Sequence, residues 1–334
     1  MKTGIIVLLV LLLLVILVGH RRQVRAERAT LLAQQQSTTT TQTPTSGQSS
    51  FTLGSGTHEV HIMNGNEQRK YLAYVPLSYD KSKATPLVLM YHGGGGHMEQ
   101  AASDYRWKEK ADKEGFIVVF GNGASRFPRG HLATWNAGNC CGYARDTKSD
   151  DVGYTRTLIA DVESKFNIDT NQVFVTGMSN GGIMAHRLAC EMADTFRAVA
   201  SVTGTDGDGA CTPSRPISVL HIHAKNDDHV LFNGGAGEGA FRDEEAVADF
   251  VSVPETIARW LKRNSITTPP TRVLEVDGAY CDLYTSPDGT QVKLCVTETG
   301  GHSWPGGKVV RDKTPSTAIS ATDTIWDFFK AQTK

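Results

Sequence analysis

The sequence predicts an α/β protein with a doubly wound, mostly parallel sheet and helices on both faces. Apolar runs of strand length, such as residues 87–91 and 116–120, alternate along the chain with stretches of helical spacing. These runs are apolar at every position, which is typical of strands buried between two helical layers. The 334 residues are 40% hydrophobic and 21% charged, the composition of a globular protein.

The elements follow in order. Residues 59–63 and 70–75 predict a hairpin, because Asn-Gly-Asn lies between them and supplies the positive φ of a tight turn. A strand at residues 87–91, a helix at 98–113 and a strand at 116–120 come next. The remaining pattern predicts helices at residues 151–166, 182–192, 254–263 and 317–331, and strands at residues 173–175, 198–202, 217–223, 272–276 and 292–296.

The N-terminus is separate from this pattern. Residues 5–18 are an apolar run shorter than the about 20 residues of a membrane-spanning helix and closer to a signal-peptide core. Four arginines follow it, which by the positive-inside rule would instead retain the downstream chain in the cytoplasm. We therefore expect residues 1–20 to be a signal peptide or membrane anchor, residues 21–50 a basic, then Ser/Thr/Gln-rich linker, and residues 51–334 the folded domain.

The charge balance of the folded domain indicates which classes of partner to expect. The chain has 34 Lys+Arg against 35 Asp+Glu, but residues 1–50 hold five of the basic residues and one acid, so the folded domain is mildly acidic (29 against 34). Binding through phosphate neutralisation is disfavoured, and no nucleic-acid partner is expected. Membrane contact is expected only through the N-terminal segment, and the protein is expected to be a monomer.

Residues 177–181 read Gly-Met-Ser-Asn-Gly and match the nucleophile-elbow pattern Gly-x-Ser-x-Gly. An apolar strand precedes the match and a helix follows it, which is the setting that the pattern requires. A sharp turn there would present the Ser179 hydroxyl above the carboxyl edge of the sheet. A glycine-rich turn with an incidental serine is the alternative.

A serine nucleophile needs a base and an orienting acid, which on this fold follow in the order serine, acid, histidine. Asp227 and Asp228 lie just past the strand at residues 217–223, where such an acid belongs. His302 lies in a glycine-flanked loop before the last helix, whereas His229 is too close to the acids in sequence to reach the serine comfortably. We expect His302 to be the base.

An oxyanion site would need the backbone N–H after the serine and another from an earlier strand-to-helix loop. Residues 91–96, Tyr-His-Gly-Gly-Gly-Gly, occupy such a loop. Asn180 and Gly94 are the candidate donors. A phosphate-binding loop is the alternative, but neither of the usual nucleotide-binding glycine patterns is present in the sequence.

A metal site is the competing interpretation of the histidines. His221 and His223 lie two apart on a predicted strand and would point the same way, close to Asp227, Asp228 and His229. Structural histidines and an orienting acid explain the cluster as well. No further group with zinc spacing completes a site, so neither a metal nor an organic cofactor is expected.

The six cysteines permit 15 disulfide pairings. Cys281 and Cys295 flank a Pro-Asp-Gly turn symmetrically, so they would face each other across a hairpin. Cys190 and Cys211 are the next candidate pair, while the adjacent Cys140 and Cys141 allow a vicinal disulfide or two free thiols. An even count with plausible bridges indicates an oxidising compartment; buried, reduced cysteines are the alternative.

Five stretches together resemble the secreted esterase family that contains feruloyl esterases and polyhydroxybutyrate-depolymerase-like lipoproteins. They are residues 135–142 (Trp-Asn-Ala-Gly-Asn-Cys-Cys-Gly), 150–154 (Asp-Asp-Val-Gly-Tyr), 177–182, the segment His221-Ile222-His223 with Asp227, and residues 301–307 (Gly-His-Ser-Trp-Pro-Gly-Gly). The resemblance covers about residues 58–332. It implies an α/β-hydrolase fold, extracellular esterase activity and a triad of Ser179, Asp227 and His302, with Asp227 favoured over Asp228.

One departure affects the expected substrate mouth. Relatives often have Gly after the His-Ile-His strand, whereas this chain continues with Ala224-Lys225-Asn226. His92 and Trp304 are candidate substrate-binding residues, although Trp304 could equally be a packed loop aromatic.

The resulting hypothesis is a secreted carboxylic-ester hydrolase, with retention by an uncleaved N-terminal anchor as a variant. The resemblance suggests ferulate or acetate esters on plant polysaccharide as substrates, and polyhydroxybutyrate-type polyesters as the alternative. A catalytically silent adhesion or binding domain on a hydrolase fold is the remaining alternative, and a complete triad argues against it.

Overall fold

The structure, a computed structural model, describes residues 53–207, 209–240, 249–310 and 313–332. The predicted signal or anchor segment and the linker lie outside the described residues. Among those that are described, no helix is both long and apolar enough to cross a membrane. The strands are β1 (Gly56–Asn64), β2 (Glu67–Val75), β3 (Thr85–Tyr91), β4 (Ile117–Gly121), β5 (Ile168–Met178), β6 (Ala198–Val202), β7 (Ser218–Ala224), β8 (Thr271–Val276), β9 (Ala279–Thr285) and β10 (Gln291–Thr297).

The strands form one ten-stranded sheet in the order β1-β2-β4-β3-β5-β6-β7-β10-β9-β8. The six central strands, from β4 to β10 in that order, are parallel to one another. Antiparallel strands extend the sheet at both edges, β1 and β2 at one and β9 and β8 at the other. The predicted doubly wound, mostly parallel α/β sheet is therefore confirmed.

The helices are α1 (Met98–Asp104), α2 (Trp107–Glu114), α3 (Gly142–Asp146), α4 (Asp151–Lys165), α5 (Asn180–Glu191), α6 (Val253–Arg263) and α7 (Ala321–Ala331). They cover two faces. In β3, Leu87 and Leu89 point into a core cluster shared with α4, α5 and α6, whereas Val88 and Met90 point into a second cluster shared with α1, α2 and α7. Both faces are buried, which is why residues 87–91 of this strand are all apolar.

Two predicted helices differ from the observed ones. The predicted helix at 98–113 is two helices, because the chain turns at Tyr105 and Arg106, where Arg106 has a positive φ of 58°. The predicted final helix begins four residues later than expected, since the Ser320 side chain caps it by accepting from the Asp323 N–H. The short helix α3 was not predicted.

The cysteines are all paired: Cys140 with Cys141, Cys190 with Cys211, and Cys281 with Cys295. Cys281 and Cys295 lie directly opposite each other in the β9–β10 register, as the symmetric spacing about the turn predicts. The alternative of free, reduced cysteines is therefore wrong for this structure.

Candidate functional site

Ser179 lies in a strained turn between β5 and α5. Its φ of 54° and ψ of −124° fall outside the regions that ordinary residues populate. The glycines around it permit close passage of strand and helix. A Cβ on Gly177 would lie 2.3 Å from the Gly181 carbonyl oxygen, and one on Gly181 would lie 2.4 Å from the Tyr91 carbonyl oxygen. The local sequence thus makes the turn that the elbow pattern predicts.

Three predicted residues meet at the carboxyl edge of the sheet. Ser179 Oγ lies 2.8 Å from His302 Nε2. His302 Nδ1 lies 2.9 Å from Asp227 Oδ2 and 3.0 Å from Oδ1. Because a carboxylate only accepts, Nδ1 carries the proton and Nε2 is free to accept from the serine hydroxyl. We call Ser179, His302 and Asp227 the cavity row.

Asp227 is held ionised by its surroundings. Its Oδ1 accepts from the backbone N–H groups of His229 and Val230, at 2.8 and 3.0 Å. Burial alone would raise the pKa of the carboxyl, but the charge of His302 and hydrogen bonds from His223 and His302 hold this pKa well below its usual range. The carboxylate therefore stays negative beside the imidazole.

Asp228, the other candidate acid, has a different environment. Its side chain is 52% exposed and forms an ion pair with Lys313 at 2.7 Å. It also accepts from His229 Nδ1 at 2.8 Å. Among the two neighbouring acids, the structure thus brings Asp227 to His302 and leaves Asp228 at the surface.

Asn180 begins helix α5, so its backbone N–H has no intrahelical acceptor. Its side-chain amide accepts from the Trp135 N–H at 2.7 Å and donates to the Trp135 carbonyl at 2.9 Å, which anchors the start of the helix. Gly94 lines the same cavity as Ser179. Its neighbours are already engaged, since the Gly95 N–H donates to Ala133 and the Gly96 N–H to Gly93.

His92 lies beneath this glycine loop and does not line the cavity. Its side chain is fully buried, its Nε2 accepts from the Gly123 N–H at 3.0 Å and its Nδ1 donates to the Gly93 carbonyl at 2.8 Å. Burial lowers the pKa of His92 to about 4. Both nitrogens are occupied by backbone groups, which corrects the prediction of a substrate-binding role: His92 shapes the loop.

The cavity has a volume of about 380 Å³ and is lined by Ser179, His302 and Trp304 among others. Trp304 is only 3% exposed and stacks on Tyr105 with 4.6 Å between ring centroids. Its indole N–H donates to Thr322 Oγ1 at 3.0 Å. Trp304 is therefore a packed aromatic that also lines the cavity, and its role in substrate binding stays a prediction.

Three groups near the base could in principle hold a metal ion, because donor atoms of Asp227, His229 and His302 lie within 4.8 Å of one another. The His302 nitrogens already bond Asp227 and Ser179, and an ion would have to replace those bonds. His229 stacks on His302 with 4.4 Å between centroids and bonds Asp228. The donor set therefore fits a hydrogen-bonded serine site better than a metal site.

Sequence reasoning missed two features of the site. The Cys140–Cys141 pair lines the cavity together with Ser179. The second feature is a hydrogen bond of 3.0 Å between His221 and His223, which point the same way as predicted. The His-x-His spacing was the available signal, whereas the partners of these histidines on α5 and α6 are distant in sequence.

The sequence of this chain is similar to a family model and to several known proteins. Residues 70–238 match the family model described as esterase PHB depolymerase. The feruloyl esterase B of Piromyces equi is 31% identical over 248 residues, which cover 72% of this chain and 44% of that protein. A probable feruloyl esterase C of Aspergillus clavatus is 30% identical over 207 residues, which cover 58% of this chain and 68% of that protein.

The chain spans less than half the length of the Piromyces protein. Among solved structures, the acetyl xylan esterase from Aspergillus awamori superposes with a TM-score of 0.54 at 14% identity, covering 82% of this chain and 99% of that one. At that identity the likeness concerns the fold alone. The α/β-hydrolase fold and the family resemblance expected from the motifs are confirmed, and the chain belongs to the esterase PHB depolymerase family.

Proposed function

We propose that this protein is a serine carboxylesterase that works through an acyl-enzyme intermediate. The observation that carries the proposal is the continuous hydrogen-bonded row from Ser179 through His302 to Asp227, which opens on a cavity of about 380 Å³. Membership of an esterase family supports it. An adhesion or binding domain would need none of these three groups in this geometry.

In the proposed reaction, Ser179 Oγ attacks the ester carbonyl while His302 Nε2 takes its proton. Asp227 keeps the imidazole in the correct tautomer and stabilises its cationic form. The N–H groups of Asn180 and Gly94 stabilise the tetrahedral oxyanion. His302 then protonates the departing alcohol, and a water molecule, deprotonated by His302, releases the acid and restores the serine.

The substrates we propose are ferulate or acetate esters carried by plant polysaccharide. Relatives named feruloyl esterase support this class, and the Trp304 wall of the cavity suits an aromatic or sugar ring. Short polyhydroxybutyrate esters are the second candidate, favoured by the description of the family model. We propose that the protein is secreted, because its three disulfides suit an oxidising compartment.

The decisive variant is Ser179→Ala. We expect hydrolysis of p-nitrophenyl acetate to fall by about 10⁴-fold or more, because Ser179 is the hydroxyl that is hydrogen-bonded to the base. Circular dichroism should show an unchanged fold. Ser164→Ala, an exposed serine on α4, is the matched control and should keep full activity. Substantial turnover by Ser179→Ala would overturn the serine mechanism.

A substrate panel distinguishes the two ester classes. We would compare methyl ferulate, acetylated xylan and hydroxybutyrate oligomers, measuring the released acid by chromatography. The highest kcat/KM on either of the first two supports the polysaccharide-ester proposal. Preference for the oligomers would replace it with polyester hydrolysis.

A further inference from the structure

Four buried side chains form a second hydrogen-bonded row that ends at Asp227. The Trp260 indole N–H on α6 lies 2.9 Å from His186 Nδ1 on α5. His186 Nε2 lies 3.4 Å from His221 Nδ1, and His221 Nε2 lies 3.0 Å from His223 Nδ1, both on β7. We call Trp260, His186, His221 and His223 the buried row. Each of them is at most 1% exposed.

The row terminates on two acceptors. His223 Nε2 lies 2.8 Å from the Val230 carbonyl oxygen and 3.3 Å from Asp227 Oδ2. Asp227 Oδ2 is the oxygen that also lies 2.9 Å from His302 Nδ1. One carboxylate oxygen therefore lies between the imidazole of His302 and the end of the buried row.

The two ends of the row determine where every proton lies. An indole N–H only donates, so His186 Nδ1 must accept and its Nε2 must carry the proton. By the same rule, each Nε2 proton is donated to the Nδ1 of the next imidazole. His221 and His223 therefore also carry their protons on Nε2. A carbonyl oxygen only accepts, so Val230 independently requires a proton on His223 Nε2. Both ends impose one direction, and it points a donor at Asp227.

The same geometry leaves no place for an additional proton. Protonating any Nδ1 in the row would set two N–H groups against each other, since each Nδ1 already accepts from the preceding donor. Burial acts in the same direction, lowering the pKa of His186 to about 4 and that of His221 well below its usual value. The row is therefore held neutral.

We propose that His223 is a positioning residue for the Asp227 carboxylate, held by Trp260, His186 and His221 as a neutral donor of fixed direction. The proposal rests on the proposed esterase function. A neutral donor fixes the carboxylate in orientation without cancelling its charge. A cationic His223 would instead compete with the His302 imidazolium for Asp227 and weaken the base.

Other charged and titratable groups lie near Asp227, where the buried row ends, and near His186 towards its other end. At the cavity end, His302 lies on Asp227 and His229 stacks on His302, with Lys313 beside His229. At the far end, Asp206 raises and Arg263 lowers the pKa of His186, after the larger effect of burial. Within the buried row, His221 and His223 face each other.

The first test needs no substitution in the row. In protein labelled with ¹⁵N-histidine, side-chain shifts and N–H couplings would be followed from pH 8 to pH 5. His186 and His221 should remain neutral with the proton on Nε2 throughout, and His223 should carry its proton on Nε2 alone at pH 7. A cationic His223, or a proton on Nδ1 of His223 at pH 7, would overturn the proposal. The result does not depend on activity, so it separates this proposal from the esterase proposal.

The second test separates positioning from packing. His223→Gln can keep an amide N–H near the position of Nε2, whereas His223→Phe fills the space without a donor. We expect kcat/KM for p-nitrophenyl acetate to fall about 10- to 100-fold in His223→Phe, as for a lost hydrogen bond to a charged group, and to be largely restored in His223→Gln. KM should change little, because His223 does not line the cavity.

The acid limb of the pH profile of kcat/KM gives a third test. It should shift if His223 positions Asp227, and it should not shift if His223 only fills space. Without the His223 hydrogen bond the Asp227 carboxylate attracts the His302 proton more strongly, so the limb should shift to higher pH in His223→Phe. Ile222→Val, in the same strand but facing the opposite cluster, should leave the limb in place. Unchanged activity and an unchanged limb in His223→Phe would overturn the proposal; an inactive His223→Phe that His223→Gln fails to rescue would also do so.

Discussion

Two hydrogen-bonded rows meet at Asp227, and they use the same imidazole group in opposite ways. In the cavity row, His302 lies between a carboxylate and the Ser179 hydroxyl, which can both give and accept a proton. In the buried row, three imidazoles lie between an indole that only donates and a carbonyl that only accepts. The end groups therefore decide whether a row can move a proton or only hold one.

Asp227 is the residue that both rows contact. Asp227→Asn should lower kcat by about 10⁴-fold, the effect of losing the orienting acid in a serine triad. The new amide group would favour the wrong His302 tautomer, and its NH₂ could meet the His223 donor. Steady-state hydrolysis of p-nitrophenyl acetate at pH 8 measures the loss.

Asp228→Asn is the matched control, one position along the chain. Its carboxylate is exposed and paired with Lys313, and such pairs contribute about 0–1 kcal/mol. We expect kcat to change less than about 3-fold. If Asp228→Asn were inactive and Asp227→Asn active, the acid would be Asp228 and the two rows would not share a catalytic residue.

The buried row should make folding stability sensitive to acid. His186 has a folded-state pKa lowered by burial to about 4, whereas an unfolded histidine titrates near about 6.5. Below pH 6.5 the unfolded chain therefore binds protons that the folded chain does not. The free energy of unfolding should be largest above pH 6.5 and fall towards pH 4, by roughly 1 kcal/mol per pH unit for each such histidine.

Urea denaturation at pH 7.5, 5.5 and 4.5 measures this slope. His186→Gln removes one of the titrating groups and should make the slope shallower. Ile222→Val changes a buried residue of β7 that carries no titrating group, and it should leave the slope unchanged. Equal slopes for the wild type and His186→Gln would show that this part of the buried row takes up protons as readily as the unfolded chain.

The cavity row could be largely predicted because its parts carry local signals. The elbow at Ser179 is determined by glycines within two residues of it, since only they let strand and helix pass so closely. Asp227 and His302 follow from the order of elements, because parallel strands end at one edge of the sheet. Their contact across 75 residues is a consequence of topology rather than of any local pattern.

The buried row could not be predicted in the same way. The alternation of His221 and His223 places both on one face of β7, and sequence alone permits either an ion or a hydrogen bond between them. What decides is packing by His186 and Trp260 from two other elements. His92 was misassigned for a similar reason, because a residue inside a glycine loop can point into the cavity or, as here, towards the backbone beneath it.

The smallest expected effect on activity comes from the far end of the buried row. Trp260→Phe keeps the aromatic ring but removes the donor to His186 Nδ1, leaving a buried acceptor unpaired at a cost of about 1–3 kcal/mol in the free energy of unfolding. The Val230 carbonyl still requires the proton on His223 Nε2, so the direction of the row survives. We therefore expect kcat/KM to stay within about 3-fold of the wild type.

Trp107→Phe is the control for this last comparison, because the Trp107 side chain is equally buried but its indole N–H has no acceptor among the described residues. It should lose less stability than Trp260→Phe in urea denaturation, since no hydrogen bond is broken. A loss of kcat/KM in Trp260→Phe as large as that in His223→Phe would show that the indole alone sets the direction of the row. A carbonyl 2.8 Å from His223 Nε2 should prevent that outcome, because reversing the row would set two lone pairs against each other.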